Sequence, residues 1–181
     1  MYPLVETLAG LAAAYLVLQF GVIVGPIYFA VFAGLVVITG VDLAIFEIPD
    51  EIVLPGIPLG LLATLVTPTT FTDAVIGVAI GAGVPYGIGK LYYLIMKREG
   101  MGFGDVKMLA MIGAFFGWKG VVAVLLVASI AGSVVGIGLV VFRGREARAL
   151  IPFGPFLALG TLAYMLAGPE MIALYLRVSG H

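Results

Sequence analysis

Seven apolar stretches, at residues 4–20, 26–46, 52–67, 73–96, 105–118, 120–142 and 151–168, take up almost the whole chain. Crossing the hydrocarbon of a bilayer takes about 20 mostly apolar residues, and fewer where a helix is short or shielded. The breaks between the stretches carry helix-ending residues: Gly25-Pro26, Pro49, Pro68, Gly100 to Gly104, Gly117 and Gly144. No low-complexity segment, soluble domain or clear repeat interrupts the pattern. The first stretch is too weakly basic at its start to resemble a cleaved signal peptide. The expected fold is all-α: a polytopic membrane helix bundle of about six to seven transmembrane helices, forming one membrane-embedded domain over residues 1–181.

Composition then narrows the chemistry. Only 10% of the residues are charged, against roughly 25% in soluble domains, so the expected solvent for most of the surface is lipid. The formal net charge of -1 gives no reason to expect nucleic acid as a partner. There are no cysteines, which removes disulfides, thiolate metal sites and cysteine nucleophiles together. The one histidine is His181, so neither a histidine-dependent serine triad nor an H-E-x-x-H zinc site is available within the bundle. Ser129, Ser133 and Ser179 have no lysine close in sequence. If the chain does acid–base work, its carboxylates are the leading candidates.

Basic residues set the orientation. With the loops labelled by alternation, Lys97, Arg98, Lys107, Arg143, Arg145 and Arg148 fall on one side, while Lys119 and Arg177 fall on the other. The positive-inside rule places the first group in the cytoplasm, with the N-terminus inside. The stretch at 105–118 is short and could be re-entrant, which would alter the parity after it. Gly77, Gly81 and Gly83, and Gly132, Gly136 and Gly138, have the spacing of small residues that let helices approach closely. No strand precedes them, so a phosphate loop is disfavoured.

Asp42 stands near the end of an apolar run, where a carboxylate at mid-span costs at least ~2.5 kcal/mol. Aspartate is too short to snorkel well, so a functional role is favoured over a surface one. Asp105, in MGFGDVK, follows a glycine-flanked turn and is placed to N-cap a helix. Capping leaves Lys107 unexplained, because a lysine in the first turn opposes the helix dipole, and cap and catalyst both stand as readings. Glu47, Asp50 and Glu51 form an acidic cluster around Pro49, which forbids a continuous helix. Asp50 is expected to cap the next helix. The cluster is either a solvated loop or a docking site for a basic segment. Asp73 is expected to be a helix cap on the far side, and Glu99 and Glu146 to pair with neighbouring basic residues. Asp42 ends a helix running inward and Asp105 begins one running outward, which puts both at one depth near the cytoplasmic face. Facing carboxylates at short range share a proton.

MGFGDVK together with DLAIFEIPD and IPFGPFLALG resembles the type IV prepilin peptidases, membrane aspartic proteases of the GxGD group. The three segments occur in the family's order and spacing, across about 36–160. The resemblance implies a peptidase domain in which Asp42 and Asp105 are the catalytic pair, Gly102 and Gly104 are pivots, and Lys107 tunes or holds the loop. It implies prepilin or pseudopilin substrates, whose basic leader is cut at the cytoplasmic face of the inner membrane just before an apolar helix. Glu47, Asp50 and Glu51 could then meet the leader. Larger members carry a cysteine-containing insertion associated with N-methylation; with no cysteines here, cleavage without methylation is expected, with no metal and no S-adenosylmethionine site. Two other readings remain. Presenilin and signal peptide peptidase share G-x-G-D but lack the I-P-D companion of the first aspartate. An ion-coupled transporter or channel also uses intramembrane acids, normally near the midplane.

Overall fold

The computed structural model describes residues 2–97, 102–143 and 152–178. The described residues form five helices and no strand: α1 (Tyr2–Ile45), α2 (Asp50–Ala63), α3 (Phe71–Met96), α4 (Phe103–Arg143) and α5 (Gly154–Val178). Helices α1, α3 and α4 contain stretches long and apolar enough to cross a membrane. The all-α expectation holds. The third apolar stretch is helical only to Ala63, and turns occupy the residues that follow.

Two of these helices reverse direction at a glycine. In α1, Gly21 has φ 83°, and a Cβ placed on Gly25 would lie 2.6 Å from the Cα of Val17. Eight residues of straight helix rise about 12 Å, so this contact requires the chain to double back. The break expected at Gly25-Pro26 therefore falls four residues earlier. A reversal needs the positive φ that glycine accepts freely, whereas proline's fixed φ suits the opening of a helix.

In α4 the reversal is at Gly117, with φ 69°, a break that the sequence marks. Gly104 packs on Ile48 and Gly154 on Asp42, which puts the starts of α4 and α5 at one end of the bundle. Past Gly117, Val124 lies against Gly160 and Gly132 against Phe156, so the second half of α4 returns toward that end. Breaking the helix orphans its last carbonyls, and the Thr69 hydroxyl donates to the Phe115 carbonyl at 2.9 Å.

The segment before Gly117 is the axis of the bundle. It is about 20 Å long at 1.5 Å per residue, and from Met108 to Gly117 every residue is buried. A helix apolar on all sides, as in MLAMIGAFFG, can bury every face. Neighbours reach it through glycines. Gly56 and Gly60 of α2 meet Met111 and Ala114, and Gly77 and Gly81 of α3 lie on the backbone of Gly113 and Leu109. The packing role expected for Gly77 and Gly81 is thus seen, while Gly83 and Gly138 face open space.

On each of three helices a buried row of residues leads to the same place. On α1 the buried positions Tyr28, Val31, Leu35 and Ile38 recur at three- and four-residue steps, and Asp42 is the next step. On α4 Gly113, Leu109 and Asp105 are four apart and all buried. On α5 the row runs Met165, Thr161, Leu157 and Gly154. Residues at these spacings share a helix face.

At the far end, Asp73 is not the cap of α3. Thr70 is the N-cap; its hydroxyl accepts from the Asp73 amide at 3.1 Å and donates to the Asp73 carboxylate at 2.8 Å. Asp73 is the partner inside the first turn, as in a capping box, and it also accepts from the Trp118 indole N–H at 3.1 Å. The expected pairings of Glu99 and Glu146 fall outside the described residues, as do Arg98, Arg145, Arg148 and Ile151.

Candidate active site

The convergence of the three rows opens into a cleft of 1290 Å³. Asp42, Asp105, Gly102, Gly104, Lys107, Glu47, Asp50 and Glu51 all line it, beside Phe103, Pro152 and Phe153, and Ile88, Gly89 and Tyr92 of α3 complete the lining. Every residue singled out by the sequence as a candidate is therefore brought to one place. Asp42, near the end of α1, and Asp105, at the start of α4, thus lie at one end of the bundle.

Asp42 is 5% exposed, which removes the snorkelling alternative. Its Oδ2 accepts the Gly154 N–H at 2.9 Å, a fully buried bond. A buried carboxylate needs such partners, because an unpaired one costs several kcal/mol.

Asp105 is 9% exposed and is the third residue of α4, so it is not the N-cap. It reaches back to the Gly102 backbone, with which it shares a hydrogen bond. A side chain at Gly102 would come 3.1 Å from the Asp105 Oδ2. The two aspartates thus have the same design: each is held by a backbone group at the opening of a helix, where donors are free and the dipole favours an anion. Gly104 also has a steric reason, since a Cβ there would lie 2.9 Å from the Ile48 side chain.

The turn expected at FEIPDE is present. Phe46 takes φ 57° and helix resumes only at Asp50. Asp50 is not a side-chain cap, however. Pro49 occupies the N-cap position, no side chain caps it, and Asp50 is the first helical residue. Its carboxylate forms an ion pair with Lys107, whose ammonium also sits 5.2 Å from the centre of the Phe103 ring. That pairing explains how a lysine is tolerated in the first turn of α4. It ties the opening turns of α2 and α4 together across the cleft and takes Asp50 out of the free acidic set, leaving Glu47 and Glu51 exposed.

Asp50 is 49% exposed, so solvent screens the pair. We expect a double-mutant cycle with Asp50→Asn and Lys107→Met, read by thermal unfolding in detergent, to give a coupling of about 0.2–1 kcal/mol. Additive single effects would show that the pair contributes nothing.

Gly154 is the site residue that was not among the candidates. Its only signal was its place in IPFGP, and periodicity could not say that it meets Asp42, 112 residues earlier. Among the described residues no group of three or more Asp, Glu or His could hold a metal ion.

With this geometry in view, comparison with known proteins gives a consistent result. Residues 29–137 match the type IV leader peptidase family. The chain is 36% identical over 177 residues to a prepilin leader peptidase/N-methyltransferase of Aeromonas hydrophila, covering 97% of this chain and 61% of that protein. Proteins of the same name from Stutzerimonas stutzeri and Pseudomonas aeruginosa are 34% and 33% identical, over 97% and 99% of this chain and 62% of each. The chain spans about three fifths of the length of these curated relatives. No solved structure matches it significantly. The matched region runs from the second half of α1 almost to the end of α4 and contains both buried aspartates, and the chain belongs to the type IV leader peptidase family.

Proposed function

We propose that the protein is an aspartic endopeptidase of the inner membrane that removes the basic leader from type IV prepilins or related pseudopilins at the cytoplasmic face, and that residues 1–181 act as one peptidase domain. One observation carries the reading: two buried carboxylates, Asp42 and Asp105, from helices far apart in sequence, open on the same cleft in a chain of this family. One carboxylate takes a proton from a water molecule while its protonated partner donates to the scissile carbonyl oxygen. The tetrahedral intermediate then collapses as a proton passes to the leaving amine. The pair shares the proton, so the two roles belong to the pair. Water supplies the nucleophile, so the proposed step needs neither a metal ion nor another cofactor.

The cleft fits the substrate class in two ways. The wall formed by Ile88 and Tyr92 is apolar and both residues are exposed, suiting the start of an apolar helix. Glu47 and Glu51 stand at its rim, where free negative charge attracts a basic leader. Reversing both, with Glu47→Lys and Glu51→Lys, should raise KM for a prepilin roughly tenfold with kcat nearly unchanged, two rim pairs being worth about 0.2–1 kcal/mol each. The effect should shrink as salt is added. An unchanged KM would remove the leader-docking role.

The function is tested by mixing detergent-purified protein with a prepilin bearing its leader and weighing the products. Loss of the leader, with an unmethylated new N-terminus, is the expected result. An uncut prepilin would sink the reading. Proton or ion flux through liposomes holding the protein would favour a carrier instead.

A further inference from the structure

Asp42 is held by one backbone donor, and the start of α5 is built so that no other can replace it. Among the first four residues of α5, Pro155 has no N–H, and the amides of Phe156 and Leu157 are both bonded to the Phe153 carbonyl, at 3.0 and 3.1 Å. The Gly154 amide remains, and it donates to the Asp42 Oδ2 at 2.9 Å. Gly154 has no positive φ, so its glycine character is not needed for backbone freedom. The requirement is steric. A Cβ at this position would lie 2.5 Å from the Asp42 Oδ2 and 3.2 Å from its Cγ, closer than any carbon–oxygen contact can be without displacing the carboxylate.

We propose that Gly154 is the positioning residue of Asp42: its bare backbone seats the carboxylate against the opening of α5 and fixes which oxygen does the chemistry. The inference rests on the peptidase reading for its catalytic arm only. Oδ2 is occupied as the acceptor of the Gly154 N–H. That bond takes one of its lone pairs and lowers its basicity, so Oδ1 is the favoured oxygen to exchange a proton with water or with Asp105 and to carry the shared proton. Any side chain at 154 pushes Oδ2 off the amide and rotates Oδ1 away from the reacting atoms. Misplacing a catalytic group by about 1 Å costs on the order of 100-fold in rate.

The test compares Gly154→Ala with Gly83→Ala, a helix-interior change into open space. Alanine is the better helix former in a helix interior, so Gly83→Ala should not lose thermal stability, whereas Gly154→Ala parts a buried carboxylate from its donor and should lower the unfolding midpoint modestly. Gly154→Ala should lower kcat on the order of 100-fold and leave KM for the prepilin unchanged in protein still folded at the assay temperature, while Gly83→Ala should match wild type. A second arm does not need turnover. The chain has only four aspartates, Asp42, Asp50, Asp73 and Asp105, so ¹³C-labelled aspartate gives four side-chain carboxyl resonances, with that of Asp42 identified by its loss in Asp42→Asn. Gly154→Ala should move the Asp42 resonance and leave those of Asp50 and Asp73 in place.

An unmoved Asp42 resonance with unchanged kcat would overturn the proposal. So would a general shift of all four resonances, which would make the effect merely structural. If wild type cuts no prepilin, the peptidase reading fails and the resonance arm still decides the placement of Asp42. Should Gly154→Ala not fold, the Gly154 amide proton decides it in the folded proteins. That resonance should move upfield in Asp42→Ala, and an unmoved one would refute the contact.

Discussion

Asp42→Asn and Asp105→Asn should each abolish leader removal while leaving the protein folded. Asparagine keeps the size and shape of aspartate and keeps an oxygen to accept from the Gly154 amide or the Gly102 backbone. It cannot take a proton from water, and it cannot share one with the opposite carboxyl. Positioned acid–base groups typically contribute about 10²–10⁴-fold each, and in a pair that works through one shared proton the loss of either member removes the function of both. The two single variants and the double variant should therefore fall to the same floor rather than multiply, as happens when residues act as a unit.

The assay is the mass of the prepilin after incubation, with the unfolding midpoint of each variant measured beside it. Both positions bury a carboxylate, so the neutral amide relieves a desolvation cost, and the midpoints should hold or rise. Cleavage by either variant would disprove the pair. A loss of cleavage with a fall in midpoint would leave the residues structural. A carrier would behave differently again, retaining transport with altered coupling to protons.

Much of this site was legible before the structure, for reasons that differ by residue. Asp42 was legible because a charge in an apolar run is costly; the inward row of Tyr28, Val31, Leu35 and Ile38 that leads to it emerges only in the fold, since the run around them is apolar on every side. Asp105 was legible through its glycine turn, although its role as a cap was mistaken, since the helix starts at Phe103 and not after the aspartate. Pairings between distant segments were not legible. The Lys107–Asp50 bridge spans 57 residues and the Gly154–Asp42 bond spans 112; local periodicity gives the face a residue presents, and says nothing of which face it meets. The same limit explains the misplaced break near Gly25-Pro26. Proline is the louder breaker in a sequence, but the reversal itself depends on positive φ, which only the structure locates at Gly21.

Gly113→Val should be the most damaging substitution away from the cleft, and it should act on the site through packing. A Cβ at Gly113 would collide with the backbone carbonyl of Gly77, and one at Gly77 with the carbonyl of Gly113. Neither obstacle is a side chain that can change rotamer, so α3 and α4 must move apart. Overpacking a core usually costs about 1–3 kcal/mol, and a collision of two backbones belongs at or beyond the upper end. At the same four-residue spacing the α4 face that carries Gly113 and Leu109 reaches Asp105, and the α3 face that carries Gly77 and Gly81 reaches Pro85 and Gly89; Asp105 and Gly89 both line the cleft. A wedge at one end of the α4 face shifts Asp105 at the other. We therefore expect Gly113→Val to lower the unfolding midpoint in detergent and to depress cleavage, with Gly113→Ala intermediate in both. Gly83→Val and Gly138→Val, which enter open space, should change neither. Because Gly77 and Gly113 meet each other, the double substitution should cost less than the sum of the singles, the helices having separated already. Additivity, or a Gly113→Val protein with wild-type stability, would mean that α3 and α4 do not pack this closely, and the part of the cleft lined by α3 would have to be redrawn.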